Sequence, residues 1–115
     1  MESKVCAKWI RMSPRKVRRV VNEIRGKEVG QARVMLKFMP YTAARVVEKL
    51  LYSAVSNLTN AEKNAVSQAE ADRFKVVEAF CDQGPTQERF QPRARGRAFP
   101  ILKRSSHITL KLSDI

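Results

Sequence analysis

The feature that most constrains this chain is a change of apolar period at Phe74. Downstream of it, Ile108, Leu110 and Leu112 alternate cleanly with Thr109 and Lys111, and Phe74, Val76 and Phe80 alternate more loosely with Lys75, Val77 and Ala79. Alternation of this kind reads as β-strand. Between the two segments stand Gly84-Pro85, Pro92, Gly96 and Pro100, with no helical stripe anywhere. Two strands so separated predict a long hairpin with arms near 74–84 and 98–112. At about 3.4 Å per residue, arms of roughly 11 residues plus a tip reach some 40–50 Å. A compact body of this length has a radius of gyration of only about 13 Å, so the hairpin has to project beyond it. A two-stranded ribbon on its own is marginal in water, which makes an embedded ribbon the sensible reading.

Upstream of Phe74 the period is helical. A first strand is expected over Val5 to Met12, with Trp9 packed on the sheet. Ser13-Pro14 then opens a helix: serine is a good N-cap, and proline at the first helical position has no amide hydrogen to waste. Val17, Val20, Val21 and Ile24 follow at the spacing of one buried stripe, and Gly26 suits a left-handed C-terminal cap. A second, short helix is predicted over Gln31 to Met39 with Ala32, Met35, Leu36 and Met39 inward, stopped by Pro40. A third starts at a Thr42 cap and carries the widest apolar stripe, Val46, Val47, Leu50, Leu51, Ala54, Val55 and Leu58. Residues 59–72 read as a loop or a frayed helix end.

Charge narrows the function. The 115 residues hold 23 Lys+Arg against 11 Asp+Glu, a net +12. Such an excess is most simply matched by a polyanion, either nucleic acid or an acidic membrane. It is segregated: residues 1–27 carry net +7, residues 28–88 net −1 and residues 89–115 net +6. A uniformly supercharged surface does not divide this way, whereas a directed binding surface does.

Several classes drop out. Cys6 and Cys81 form no CxxC motif, and two small buried thiols are expected in place of a cysteine framework. One histidine, His107, with no cysteine pair cannot build a structural zinc site and reads as structural. The longest uncharged run, Leu50 to Ala61, has 12 residues, too short and too polar to span a bilayer. Glu2 and Lys4 with no apolar run behind them argue against a secretory leader, so an intracellular soluble protein is expected. A Gly-rich phosphate loop, a serine elbow and a catalytic carboxylate pair are all missing from the sequence. No enzyme, metal or cofactor is expected.

What remains is the chemistry of the bases. Arg89, Arg93, Arg95, Arg97, Lys103 and Arg104 fall within 89–104 without one acid. Arginine's planar fork grips phosphate bidentately and stacks on bases, which suits structured RNA. Ala94, Gly96 and Ala98 keep bulk low between the arginines, so the backbone is free to approach a partner. Phe90 and Phe99 flank the stretch, each able to stack on a base or to pack across the hairpin. The polar face of the first helix offers Arg15, Lys16, Arg18, Arg19 and Arg25, and the first strand Lys8 and Arg11. The stripe beneath that helix is valine, without the bulky side chains that insert into membranes, so RNA contact is preferred to a lipid surface. These fourteen positions, Gly96 among them, are the candidate RNA-binding set.

At this point the motifs resemble a known family, the universal large-subunit ribosomal protein twenty-two in its bacterial and plastid form. The likeness covers nearly the whole chain. Its most specific part is Pro92-Arg93-Ala94-Arg95-Gly96-Arg97-Ala98, followed by Leu102-Lys103-Arg104 and Ser106-His107-Ile108-Thr109. Ser13-Pro14-Arg15-Lys16-Val17-Arg18 and Ile24-Arg25-Gly26 match the first helix, and Phe38-Met39-Pro40-Tyr41 is similar to cyanobacterial and plastid members. The resemblance implies an α+β fold: three helices packed on a small three-stranded antiparallel sheet, with a long protruding β-hairpin. It implies one domain over 1–115, with a body of about 1–73 plus basal strands and a hairpin of about 74–112 whose tip lies near 85–97. It also implies a structural constituent of the large subunit that binds large-subunit ribosomal RNA and supports assembly. The hairpin tip would help line the nascent-peptide exit tunnel, and Arg93, Arg95 and Arg97 would contact RNA or face that tunnel. Neighbouring ribosomal proteins and the nascent chain are then the other partners, with no membrane and no small-molecule substrate. The ribosome of a bacterial cytoplasm or a plastid stroma is the implied location. The outstanding alternative is a stand-alone nucleic-acid-binding module, such as a nucleoid or chaperone protein. Two departures stand out: Glu88 where the family has a basic or amide residue, and Asn60-Ala61-Glu62-Lys63-Asn64 a few residues late, read as an insertion.

Overall fold

The computed structural model describes residues 2–61, 63 and 65–114. The elements are β1 (Glu2–Ile10), α1 (Pro14–Ile24), α2 (Val29–Phe38), α3 (Thr42–Thr59), a one-turn α4 (Gln68–Ala71), β2 (Lys75–Gln83), β3 (Gln87–Pro92), β4 (Ala98–Lys103) and β5 (Ser106–Ser113). A short 3-10 turn, Ala94–Gly96, joins β3 to β4. Strands β1, β5 and β2 form an antiparallel sheet in that order, and β3 pairs with β4 in a separate two-stranded ribbon. The fold is therefore the expected one, α-helices packed on a small antiparallel sheet with a protruding hairpin. The molecule measures 64 × 27 × 18 Å with a radius of gyration of 17.4 Å. A compact chain of this length would have a value near 13 Å, and the projecting ribbon accounts for the excess.

The helical stripes build the core. Val17, Val20, Val21 and Ile24 of α1 are fully buried, as are Ala32 and Leu36 of α2. On α3 the buried positions include Val47, Leu50, Leu51, Ala54, Val55 and Leu58, and these meet Ile108, Leu110 and Leu112 of β5. No residue between Cys81 and Ile108 belongs to this core. Gly26 adopts φ +81°, a left-handed conformation that glycine reaches without steric cost, and its amide donates to the Val76 carbonyl at 2.8 Å.

Several local expectations give way to tertiary constraints. The first strand spans Glu2–Ile10 rather than Val5 to Met12; a turn with Met12 N–H donating to the Ile10 carbonyl at 2.9 Å ends it, leaving Arg11 and Met12 beyond. Ser13 is the N-cap of α1, but its side chain makes no capping bond; Pro14 and the Ser13 carbonyl start the helix. Helix α2 begins at Val29, where the Val29 amide donates to Phe74, and Met35 and Met39 are only half-buried. Thr42 is the first residue of α3; the N-cap is Tyr41, and neither side chain caps. Within 59–72, Ser67 accepts from the Glu70 amide and nucleates α4. The expected insertion at Asn60–Asn64 includes Glu62 and Asn64, which lie outside the described residues. In β2 a bulge at Val77, marked by the register shift between Val76 and Glu78, reverses the parity. Val76, Ala79 and Cys81 face the core, and Phe80 is turned out. Both cysteines are free, and Cys6 is exposed where a buried thiol was expected, because it lies on the outer face of β1.

Candidate nucleic-acid interface

Strand β5 is the centre of the sheet, with β1 on one side and β2 on the other. Pairing of Glu2 with Ser113 through Ala7 with Ile108 sets the two ends of the chain side by side. The segments carrying +7 and +6 are thereby neighbours in space although separated by the near-neutral middle of the sequence.

The candidate residues fall into four environments. The first is the end of β1, where the register shifts between Ala7 and Ile10 and Trp9 takes φ 62°. Its amide donates to His107 Nδ1 at 3.2 Å, and its ring meets the imidazole edge-on with centroids 4.9 Å apart. This overturns the expected packing of Trp9 on the sheet: the bulge turns the indole outward and leaves it 64% exposed, next to exposed Lys8.

The second environment ties two candidate residues to the edge of the sheet. Arg25 donates from Nε to the Ala79 carbonyl at 2.9 Å and from Nη2 to the same oxygen. Arg18 Nε donates to the Cys81 carbonyl at 3.0 Å. Strand β2 is an edge strand, and these are carbonyls that point away from β5. Both side chains cover a sheet edge that would otherwise present unpaired acceptors. Arg18 thus gives its Nε, and Arg25 its Nε and Nη2, to backbone carbonyls, while both residues stay exposed.

The third is a cleft of about 770 Å³ between the body and the root of the ribbon, where Arg11, Lys16, Arg19, Lys103 and Arg104 converge. Arg19 also lies over the Tyr41 ring, 3.9 Å from its centroid. Arg15 is exposed on α1. Tyr41 was not among the sequence candidates; the signal available was an aromatic residue after Pro40, at the entrance to the longest helix.

The fourth is the ribbon itself, exposed along almost its whole length. Its register pairs Phe90 with Pro100 and Gln91 with Phe99. Strand alternation then puts Glu88, Phe90, Pro92, Ala98, Pro100 and Leu102 on one face and Gln87, Arg89, Gln91, Phe99, Ile101 and Lys103 on the other. Phe90 and Phe99 are therefore on opposite faces and do not pack on each other. Glu88 likewise faces away from Arg89, whose guanidinium donates to the Glu88 carbonyl at 2.9 Å and to Gln87 Oε1 at 3.4 Å. At the end the Arg93 amide donates to the Arg97 carbonyl at 2.6 Å, and Arg95 and Gly96 take φ 64° and 70°. This turn presents Arg93, Arg95 and Arg97 to solvent. A Cβ built on Gly96 meets nothing within 4 Å, so its backbone is open to a partner.

Acidic groups neutralise other cations. Arg33 pairs with Asp72 at 3.0 Å, Arg45 with Glu48 at 2.9 Å and Lys111 with Glu2 at 3.4 Å. Among the described residues, none of the cleft or turn cations has an acidic partner within salt-bridge distance. Nor is any group of three or more His, Cys, Asp or Glu placed to hold a metal among them. No helix of the described residues is long and apolar enough to cross a membrane. The buried Cys81 thiol is pushed up by desolvation, against smaller opposing effects from Ser106 and Arg18, which leaves it a poor nucleophile.

Comparison with known proteins agrees with this picture. A protein-family model described as ribosomal protein L22p/L17e matches residues 5–113. The chain is 54% identical over 114 residues to the large ribosomal subunit protein uL22 of Clostridium kluyveri, covering 99% of this chain and 98% of that one. It is 49% identical over 114 residues to the uL22 protein of Synechococcus sp. (strain JA-3-3Ab), covering 99% and 89%. With the protein named uL22c of Porphyra purpurea the identity is 47% over 113 residues, covering 98% and 93%. A basic ribbon on a small α+β body, matched along nearly its full length by these relatives, makes this chain a member of the ribosomal protein L22p/L17e family.

Proposed function

We propose that the chain is a structural constituent of the large ribosomal subunit, acting by electrostatic and shape recognition of folded ribosomal RNA. In this role it supports subunit assembly and lends its hairpin tip to the wall of the nascent-peptide exit tunnel. The observation that carries the reading is the projecting ribbon: a two-stranded element outside the core, ending in three arginines that have no acidic partner among the described residues. Such a ribbon has little reason to persist in water and every reason to persist inside RNA. Lys8, Arg11, Arg15, Lys16, Arg19, Arg89, Lys103 and Arg104 would hold phosphates along the body and ribbon, and Arg93, Arg95 and Arg97 would meet RNA or the tunnel at the turn. Gly96 would let the backbone come close. The remaining partners are neighbouring large-subunit proteins and the passing nascent chain, in a bacterial cytoplasm or a plastid stroma. The family is one of structural proteins, and the chain is not an enzyme.

Sedimentation tests this. The chain is expected to travel stoichiometrically with large subunits after a moderate-salt wash. Release as free protein at that salt would favour a stand-alone nucleic-acid-binding module, because nonspecific phosphate contacts weaken steeply with salt.

A further inference from the structure

The two sheets meet at a narrow crossing. The ribbon joins the body through residues 84–86 and 104–105, where the Gly84 amide donates to the Ser105 carbonyl at 2.9 Å and Ser105 Oγ to the Pro85 carbonyl at 2.6 Å. The cleft straddles this crossing. On its body side stand Arg11, just past β1, and Lys16 and Arg19 on α1; on its ribbon side stand Lys103, the last residue of β4, and Arg104. Five cations from three separate segments thus face one space whose lining holds no acid. Ser13 and Thr42, where α1 and α3 begin, line it too, so the positive ends of two helices add to the same field.

We propose that this cleft receives a sharply turned stretch of RNA phosphodiester backbone, and that the RNA seated there ties the ribbon to the body at a fixed angle. The inference rests on the ribosomal RNA-binding reading and names where on the surface, and to what effect, one contact is made. Like charges converging without a counter-charge repel one another, and a polyanion between them removes that repulsion. Phosphate suits the donor set: arginine forks and lysine ammonium groups both take it, whereas a neutral ligand leaves five charges unmatched. The volume fits as well. About 770 Å³ lies in the range of ~300–1,000 Å³ that holds compact ligands, so it takes a short stretch of strand and excludes a whole helix. The Tyr41 ring beneath Arg19 supplies the one aromatic wall.

The experiment uses the full chain and purified large-subunit ribosomal RNA, with filter binding between 50 and 200 mM KCl. Three variants are compared: Lys16→Gln with Arg19→Gln, Lys103→Gln with Arg104→Gln, and all four together, each checked for an unchanged thermal transition. Each phosphate contact contributes about 0.7–0.9 to the slope of log K against log salt, so either pair is expected to lower that slope by about 1.5. Because both sides would hold one strand, the fourfold variant is expected to lose affinity by at least threefold less than the product of the two pair losses, beyond the roughly twofold scatter of independent sites. On the wild-type complex, acetylation of Lys16 and Lys103 followed by mass spectrometry is expected to slow at least fivefold on adding RNA. Unchanged slopes, or Lys16 and Lys103 labelled as fast in the complex as in the free chain, would overturn the cleft. Losses that simply multiply would overturn the tie between ribbon and body. A wild-type chain that fails to bind the RNA at all would instead refute the proposed function itself.

Discussion

Replacing Arg25 by alanine separates two readings of one residue, a phosphate contact and a clamp on a sheet edge. The structure gives the Ala79 carbonyl two donors from Arg25 and none from another strand, because β2 lies at the edge. A charged hydrogen bond contributes about 1.5–3 kcal/mol when well enclosed. Arg25 is exposed, so water recovers part of that after truncation, and a loss of about 1–2 kcal/mol is expected. Unfolding entropy near 2.1 cal/mol/K per residue amounts to about 0.24 kcal/mol/K for this chain, so the thermal midpoint should fall by about 4–8 °C. Adding Arg18→Ala, which frees the Cys81 carbonyl, should bring the total to about 2–4 kcal/mol, less if the edge already frays in the single variant. Urea unfolding followed by circular dichroism reads this as a lower midpoint with an unchanged slope. Arg15→Ala is the control: an exposed position on α1, the helix that Arg25 caps, where a change within about 0.5 kcal/mol is expected. The reasoning fails if Arg25→Ala is as stable as the wild type and loses as much RNA affinity as Arg15→Ala.

Three other outcomes follow from the same structure. Deleting residues 88–98 should leave the body cooperatively folded, since no core residue lies between Cys81 and Ile108; loss of the native circular dichroism signal on deletion would contradict the projecting ribbon. Gly26→Ala should lower stability by about 1–2 kcal/mol in urea titration, because φ +81° places a Cβ in the left-handed region although it meets no neighbour; an unchanged midpoint would mean the turn relaxes freely. Thiol titration of the folded chain should give one fast equivalent, exposed Cys6, and one slow, buried Cys81. A raised thiol pKa lowers the thiolate fraction at a given pH, so Cys81 should label faster as pH rises, and equal rates for both thiols at neutral pH would count against its burial.

The parts of the fold that the sequence made legible are those where one physical requirement dominates. The valine stripe of α1 and the Ile108-Leu110-Leu112 alternation are complete periods, and every member is fully buried. Legibility ends where two requirements compete. Val76-Val77-Glu78-Ala79-Phe80 fits either parity, and the bulge that selects one lies where β2 pairs with β5, next to the Glu28–Lys75 bridge, both partners remote in sequence. Thr42 has the better capping side chain, yet Tyr41 sits at the cap with its ring under Arg19, a contact between residues 22 apart in sequence. The tip arginines stood out because no acid falls among them. Arg18 and Arg25 could not be told from Arg15 and Lys16, since a base on a polar helix face looks the same whether a phosphate or a carbonyl awaits it.

That ambiguity says how one residue type serves both fold and interface in a strongly basic chain. Arginine at Arg18 and Arg25 meets backbone carbonyls, at Arg19 an aromatic face, and at Arg93, Arg95 and Arg97 no acidic partner among the described residues. The acceptor within reach decides the role. An edge strand supplies carbonyls, and so the two arginines that cross it are held; the ribbon's turn offers only Arg93 N–H to Arg97 C=O, and its side chains stay available. Covering β2 with cations also discourages pairing between the edges of two copies, because each would have to bring its own arginines against the other's. Positive charge therefore stands at both the sheet edge and the ribbon, bonded to backbone carbonyls at the first and without an acidic partner among the described residues at the second.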